Sequence, residues 1–455
     1  MITVLTPLFT MLLISGSFFL ILQMRTRYAA IGLGTIYAAV VVLYGSYPLL
    51  MYWGLNGYYT PLNDVRLFAD QPPPEDIARI AWFFCVYLAS FCAGYLLRKQ
   101  RPHAAGPLSI TNLDTSTIWA LFSIFILFRV TLIGAELVFA ERSDNYIESY
   151  LKYKHLPLLA QQLIGHANGI AMVLSIVAIS FLTRRWDKYR LFVAGWICVE
   201  LVLLVAALGA RTQFVMLCLS ALFSYHFLYK PITITRMATA GVMLIVAFLG
   251  LGILRQYGSM GATAVGMEAL ASNSEFEALF ANAYEINRLV TLGEIDRTSM
   301  IGAVYLGDVL NLIPQQLMPF QKINLASWYI ETFHPISAEH GAGLAFGVIP
   351  EALMGTGWPD LVWRGALLGF LFRWFDDSIR EGQGTLWKFA LYLWLMVTCY
   401  QAVRLTTLAV LPLFVYRFLP AMLMVSLLAY LLREASGASG LPRSNSGLEH
   451  KQAAS

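Results

Sequence analysis

Residues 333–369, FHPISAEHGAGLAFGVIPEALMGTGWPDLVWRGALLG, bring His334, Glu339, His340, Glu351 and Asp360 into one glycine-rich stretch. Histidine and carboxylate side chains are common acceptors of the proton from an attacking hydroxyl. Glycine lets backbone approach a ligand closely. His340 and Glu351 are the leading candidates for a general base, with His334 and Glu339 as alternatives. Blander roles stay open for each: a loop histidine bonded to backbone, or a glutamate capping a short helix at IPEALM. His155, His166 and His226 lack such company and read as structural or interfacial. The chain has no HExxH pattern and no cluster with zinc-ligand spacing, so neither a metal nor another cofactor is expected.

A second set of residues is cationic. Arg211 lies in the turn of LLVAALGARTQFVMLCL, between two apolar runs. Arg255 follows the apolar run 238–254, Arg404 joins two late apolar runs in YQAVRLTTL, and Arg364 lies in the run after residue 357. Guanidinium is planar, permanently charged and able to grip phosphate through two parallel hydrogen bonds. Arg211 and Arg255, with Arg404 assisting, and Arg364 are therefore candidates to hold a phosphate or pyrophosphate head group. The alternative is that each snorkels to the interface and meets ordinary lipid phosphate. Arg129 reads as structural, paired with Glu136 or Glu200, and Arg417 also reads as structural.

These residues need a membrane scaffold. The 455 residues are 58% hydrophobic and 13% charged, against roughly 25% charged in soluble domains. A soluble globule is excluded, and the small net charge of +4 calls for no nucleic-acid partner. Runs long enough to cross a bilayer predict about eleven spans: 3–22, 29–47, 77–97, 116–135, 163–182, 190–208, 212–228, 238–254, 358–375, 386–403 and 410–432. Seventeen of the 31 Lys and Arg fall in alternate connections and in the tail. By the positive-inside rule that side is cytoplasmic, which puts the N-terminus outside and the C-terminus inside. The first run has no basic residues before it, so it reads as a retained span. The five cysteines lie in apolar runs without a CxxC pair and read as small hydrophobes.

The expected organisation is an all-α polytopic membrane protein in four parts. Residues 1–254 hold spans one to eight, 255–357 form a large outer loop, 358–432 hold the last three spans, and 433–455 form a disordered tail. The large loop carries ten acidic and three basic residues between Gln256 and Gly357. Its apolar helical stretches, such as FEALFANAYEINRLV, predict short helices on the outer membrane face.

Three features together resemble the bacterial O-antigen and oligosaccharide repeat-unit polymerases of the Wzy type. They are the GAR turn at Gly209–Arg211, the late outer loop, and the stretch HGAGLAFGVIPEALMGTGW before a span. Arg255 followed by Gly266 also fits an Arg-x10-Gly pattern, although no second copy starts at Arg211, Arg288, Arg364 or Arg404. The resemblance implies a GT-C-like membrane glycosyltransferase in the bacterial inner membrane, active on its periplasmic face. Donor and acceptor would both be glycans on undecaprenyl pyrophosphate. Membrane lipids and a chain-length-regulating membrane protein are the further partners implied. Two alternatives remain: a flippase for the lipid-linked oligosaccharide, and an O-antigen ligase acting on lipid A-core. Neither His334 nor His340 reproduces the spaced glycines that follow the ligase histidine.

Overall fold

The computed structural model describes residues 2–25, 31–54, 73–98, 109–110, 114–139, 158–208, 211–244, 246–247, 275–313, 317–320, 322–335, 345–380 and 383–438. The first half is formed by α1 (Ile2–Arg25), α2 (Leu33–Gly54), α3 (Pro74–Leu97), the two-residue β1 (Ser109–Ile110), α4 (Thr115–Phe139), α5 (Leu158–Thr183), α6 (Trp186–Leu208), α7 (Arg211–Ser224) and α8 (Ile234–Leu244). A π-turn, Tyr225–Tyr229, extends α7. After residue 274 come α9 (Glu275–Thr291), α10 (Arg297–Leu310), α11 (Leu325–Phe333), α12 (Val348–Met354), α13 (Trp358–Arg380), β2 (Gln383–Gly384), α14 (Leu386–Thr398), α15 (Gln401–Arg404), α16 (Val410–Leu413) and α17 (Leu419–Ala438). A second π-turn, Phe414–Phe418, makes α16 and α17 one continuous rod. Apart from the short parallel pairing of β1 with β2, the described regular structure is helical.

Six helices among the described residues are long and apolar enough to cross a membrane: Leu5–Met24, Leu33–Leu50, Pro74–Leu97, Thr115–Leu132, Leu163–Thr183 and Val410–Ala435. They coincide with six of the eleven expected spans. Of the other five, 190–208 lies on α6 and 212–228 on α7 with its π-turn. The 238–254 segment begins on α8 and then leaves the described residues. The 358–375 segment is α13, whose charges set it apart from the six. The 386–403 segment is shorter than expected, because α14 has 13 residues and ends at Thr398. At 1.5 Å per residue it reaches only about 20 Å.

The tightest packing joins α3 to α13, and glycine permits it. A Cβ on Gly94 would lie 2.1 Å from the Ala366 carbonyl oxygen, and one on Gly369 would lie 2.1 Å from that of Phe91. Gly365 faces the Tyr87 carbonyl in the same way. Gly365 and Gly369 thus form a small-xxx-small stripe that brings two backbones into contact. α1 and α2 pack on the same α3, and Tyr37 and Tyr87 share a 2.6 Å hydrogen bond between their hydroxyls. A second group, α4 to α7 with α17, packs beside it, and α14 touches both. Within it, Arg129 forms a buried ion pair with Glu200, one of the two partners expected.

The stripe also explains why α13 tolerates its charges. Arg364, Arg373, Asp376 and Asp377 are buried, while Trp358, Val362, Trp363, Leu367, Phe370 and Trp374 face outward. Asp376 accepts hydrogen bonds from the backbone N–H groups of Leu33 and Gly34 and from the hydroxyls of Tyr95 and Tyr392. A carboxylate from α13 therefore caps the start of α2.

Candidate active site

At the opposite end of α13 a polar cluster forms around Glu351 and Arg364, which are each 2% exposed. α12 carries Glu351 and begins at Gly347, where φ is +104°. Leu279 fills the place a Cβ would need there, so α9 fixes where α12 starts. The Arg364 guanidinium donates to Glu351 Oε1 at 2.7 Å and to the Thr407 hydroxyl at 2.7 Å. It also donates to the Val304 carbonyl at 3.3 Å and lies 3.6 Å from Asp360. The backbone N–H and hydroxyl of Thr407 both donate to Glu351 Oε2 at 2.7 Å.

A second carboxylate grips the same turn. Asp308, on α10, accepts from the Thr406 hydroxyl at 2.6 Å and from the Leu408 N–H at 2.9 Å. Two acidic residues from the large loop thereby hold residues 406–408, just before the final span. Asp360 completes the frame by accepting from Tyr305, Thr356 and Trp363. Gly355 makes this possible, since a Cβ there would lie 1.9 Å from Asp360 Oδ2.

Glu351 and Asp308 both face a cavity of about 640 Å³. His166 on α5, Leu413 and Tyr416 on the final span, and Lys322 between α10 and α11 also line it. His166 stacks on Tyr416 with ring centroids 5.2 Å apart, and the Tyr416 hydroxyl donates to the Leu312 carbonyl. Burial pushes the Glu351 carboxyl up to about 7, with Arg364 opposing the shift and Asp308 adding to it. Burial also raises Asp308, against its bonds from Thr406 and Leu408. A carboxylate poised near neutrality beside a cavity has the reactivity a general base needs.

The structure distributes the expected residues unevenly. It joins Glu351 to Arg364 and sets Arg404, at the end of α15, one residue before the cavity-lining Leu405. The Arg364 side chain, expected to grip phosphate, turns its two terminal nitrogens to protein groups instead. His334 lies away from the cavity lining, buried against Glu285 at 2.9 Å and Tyr329 at 3.2 Å. His340, Glu339 and Arg255 lie outside the described residues. Arg211 begins α7, but its side chain is likewise outside them. Asp308 was not anticipated, although a single carboxylate in the apolar run IGAVYLGDVL was its visible signal. Among the described residues no three His, Cys, Asp or Glu side chains converge as metal ligands would.

A family model described as "Putative O-antigen polymerase" matches residues 78–313, more than half of the chain. No curated protein and no solved structure matches significantly.

Proposed function

Because the chain belongs to the O-antigen polymerase family, we propose that it polymerises oligosaccharide repeat units carried on undecaprenyl pyrophosphate, on the periplasmic face of the bacterial inner membrane. A growing glycan is the donor and a single lipid-linked repeat unit is the acceptor. The acceptor hydroxyl oxygen bonds to the anomeric carbon of the donor as the bond from that carbon to the phosphate oxygen breaks. Lipid pyrophosphate leaves with the electron pair, and the hydroxyl proton passes to Glu351. Arg364 and Thr407 hold Glu351 in place. Arg404, Arg211 and Arg255 would bind the lipid pyrophosphate.

The observation that carries this reading is the cavity with a buried carboxylate of raised pKa, set between loop helices and the final span. The proposed sidedness is supported by which segments meet. Asp114 pairs with Arg433, Arg98 lies 3.5 Å from Asp377, and Tyr229 donates to Asp187. All six residues lie at or near connections with the high basic content of a cytoplasmic side. The cavity joins segments from the other side.

The test is reconstitution in liposomes with a lipid-linked repeat unit. Wild type should build a ladder of glycans, and Glu351→Gln should slow it about 100-fold or more while still inserting. Transfer to lipid A-core, or movement of the lipid-linked unit without new bonds, would overturn the polymerase reading.

A further inference from the structure

We infer that Arg417, next in the chain to the cavity-lining Tyr416, is an anion-binding residue, and that its ligand is the diphosphate of a polyprenyl-linked substrate; this rests on the function proposed above. Arg417 lies within the final span, seven residues past Val410, or about 10 Å along a helix. Among the described residues its guanidinium forms no ion pair and no hydrogen bond, and its Nε is buried without a partner. The contrast with the other arginines in the bundle is direct. Arg129 has Glu200, Arg364 has Glu351 and Asp360, and Arg373 has Asp377. An intramembrane cation with no counter-charge costs several kcal/mol, and such residues mark ligand and ion sites.

Two further observations show that the position is built for this side chain. A Cβ on Gly169 of α5 would lie 2.2 Å from Arg417 Cδ and 2.5 Å from its Nε, so the facing helix leaves a slot for the arginine. Arg417 also sits in the π-turn Phe414–Phe418, and single π-turns inside α-helices are frequent at functional sites. The neighbouring groups are compatible with an anion. Tyr416 and His166 line the cavity beside it, the Nδ1 of His166 is buried without a partner, and Tyr400 is within electrostatic reach. None of these brings a carboxylate to Arg417. The carboxylates Glu351 and Asp308 line the same cavity as Tyr416 and His166. Negative charge growing on the leaving diphosphate is stabilised most by a cation already fixed in place.

The experiment is binding of farnesyl diphosphate to the full-length protein in detergent, with phosphatidylglycerol and inorganic pyrophosphate as competitors. Wild type should bind farnesyl diphosphate in preference to phosphatidylglycerol. Arg417→Gln should weaken binding at least about tenfold, and Arg417→Lys should recover only part of it, because a point charge does not replace the fork. Gly169→Ala, which displaces the arginine without removing it, should also weaken binding. Unchanged affinity in Arg417→Gln, or phosphatidylglycerol binding as well as the diphosphate, would overturn the assignment; the second outcome would make Arg417 a phospholipid anchor. Glu351→Gln separates this proposal from the one it rests on. If that variant still polymerises normally, the base assignment fails. If it loses polymerisation yet binds farnesyl diphosphate like wild type, both stand.

Discussion

The Glu351 carboxyl sits where solvation, a cation and a second carboxylate pull in different directions, and burial dominates. Its pKa of about 7 exceeds the ordinary value of 4.5, so the folded protein keeps this proton to higher pH than the unfolded chain does. The group's effect on stability is therefore unfavourable as pH rises from about 4.5 through 7. Catalysis runs the other way: the rate at low substrate should rise with pH through about 7 as the base form appears, and this limb should vanish in Glu351→Gln. Removing the partner tests the pair itself. Arg364→Met strands a buried carboxylate and should cost roughly 3–5 kcal/mol, read as a lower midpoint of thermal unfolding in detergent. The loss should be smaller at pH 5 than at pH 8, because neutral Glu351 needs no counter-charge. The sequence offered Glu351 and Arg364 as separate candidates, a base and a phosphate clamp. It could not show that one holds the other, because their direct contact is fixed by Thr407, which bonds both from more than forty residues away in the chain.

α13 shows how one helix can both expose an apolar face and carry charge. Its glycines press it against α3 on one face, while its tryptophans look outward on another. Gly369→Val would place side-chain atoms on the Phe91 carbonyl, with no flexible group to give way. The variant should lose about 1–3 kcal/mol or more and show reduced yield of folded protein by size-exclusion chromatography. Gly16 and Gly195 have open space where a Cβ would go, so alanine at either position should leave yield unchanged. The long helix at 358–375 was legible from its length and apolar run. The segment 386–403 was not, because its apolar composition continues past Cys399 while the chain turns through α15. Composition reports where a segment is apolar; it does not report where the helix must end to let 406–408 reach two carboxylates.

Across the whole molecule, the meeting of Asp114 with Arg433 and of Arg98 with Asp377 gathers segments of alternate connections at one end. This arrangement is tested by cysteine labelling. A membrane-impermeant maleimide should modify Glu294→Cys from the outside of spheroplasts, and Asp187→Cys only after permeabilisation. The reverse pattern would invert the proposed topology. A membrane protein with many helices was determined by the sequence alone, because hydrophobic length is a local property that no folding partner alters. The tertiary structure alone decided which charges neutralise one another, and among the described residues it leaves Arg417 without an ion pair. Arg417 and Arg364 look alike in sequence, each a lone arginine in an apolar run. Only packing gives Arg364 two carboxylates and leaves Arg417 facing a glycine, since the low dielectric of the bundle makes the presence or absence of a neighbour within a few ångströms decisive.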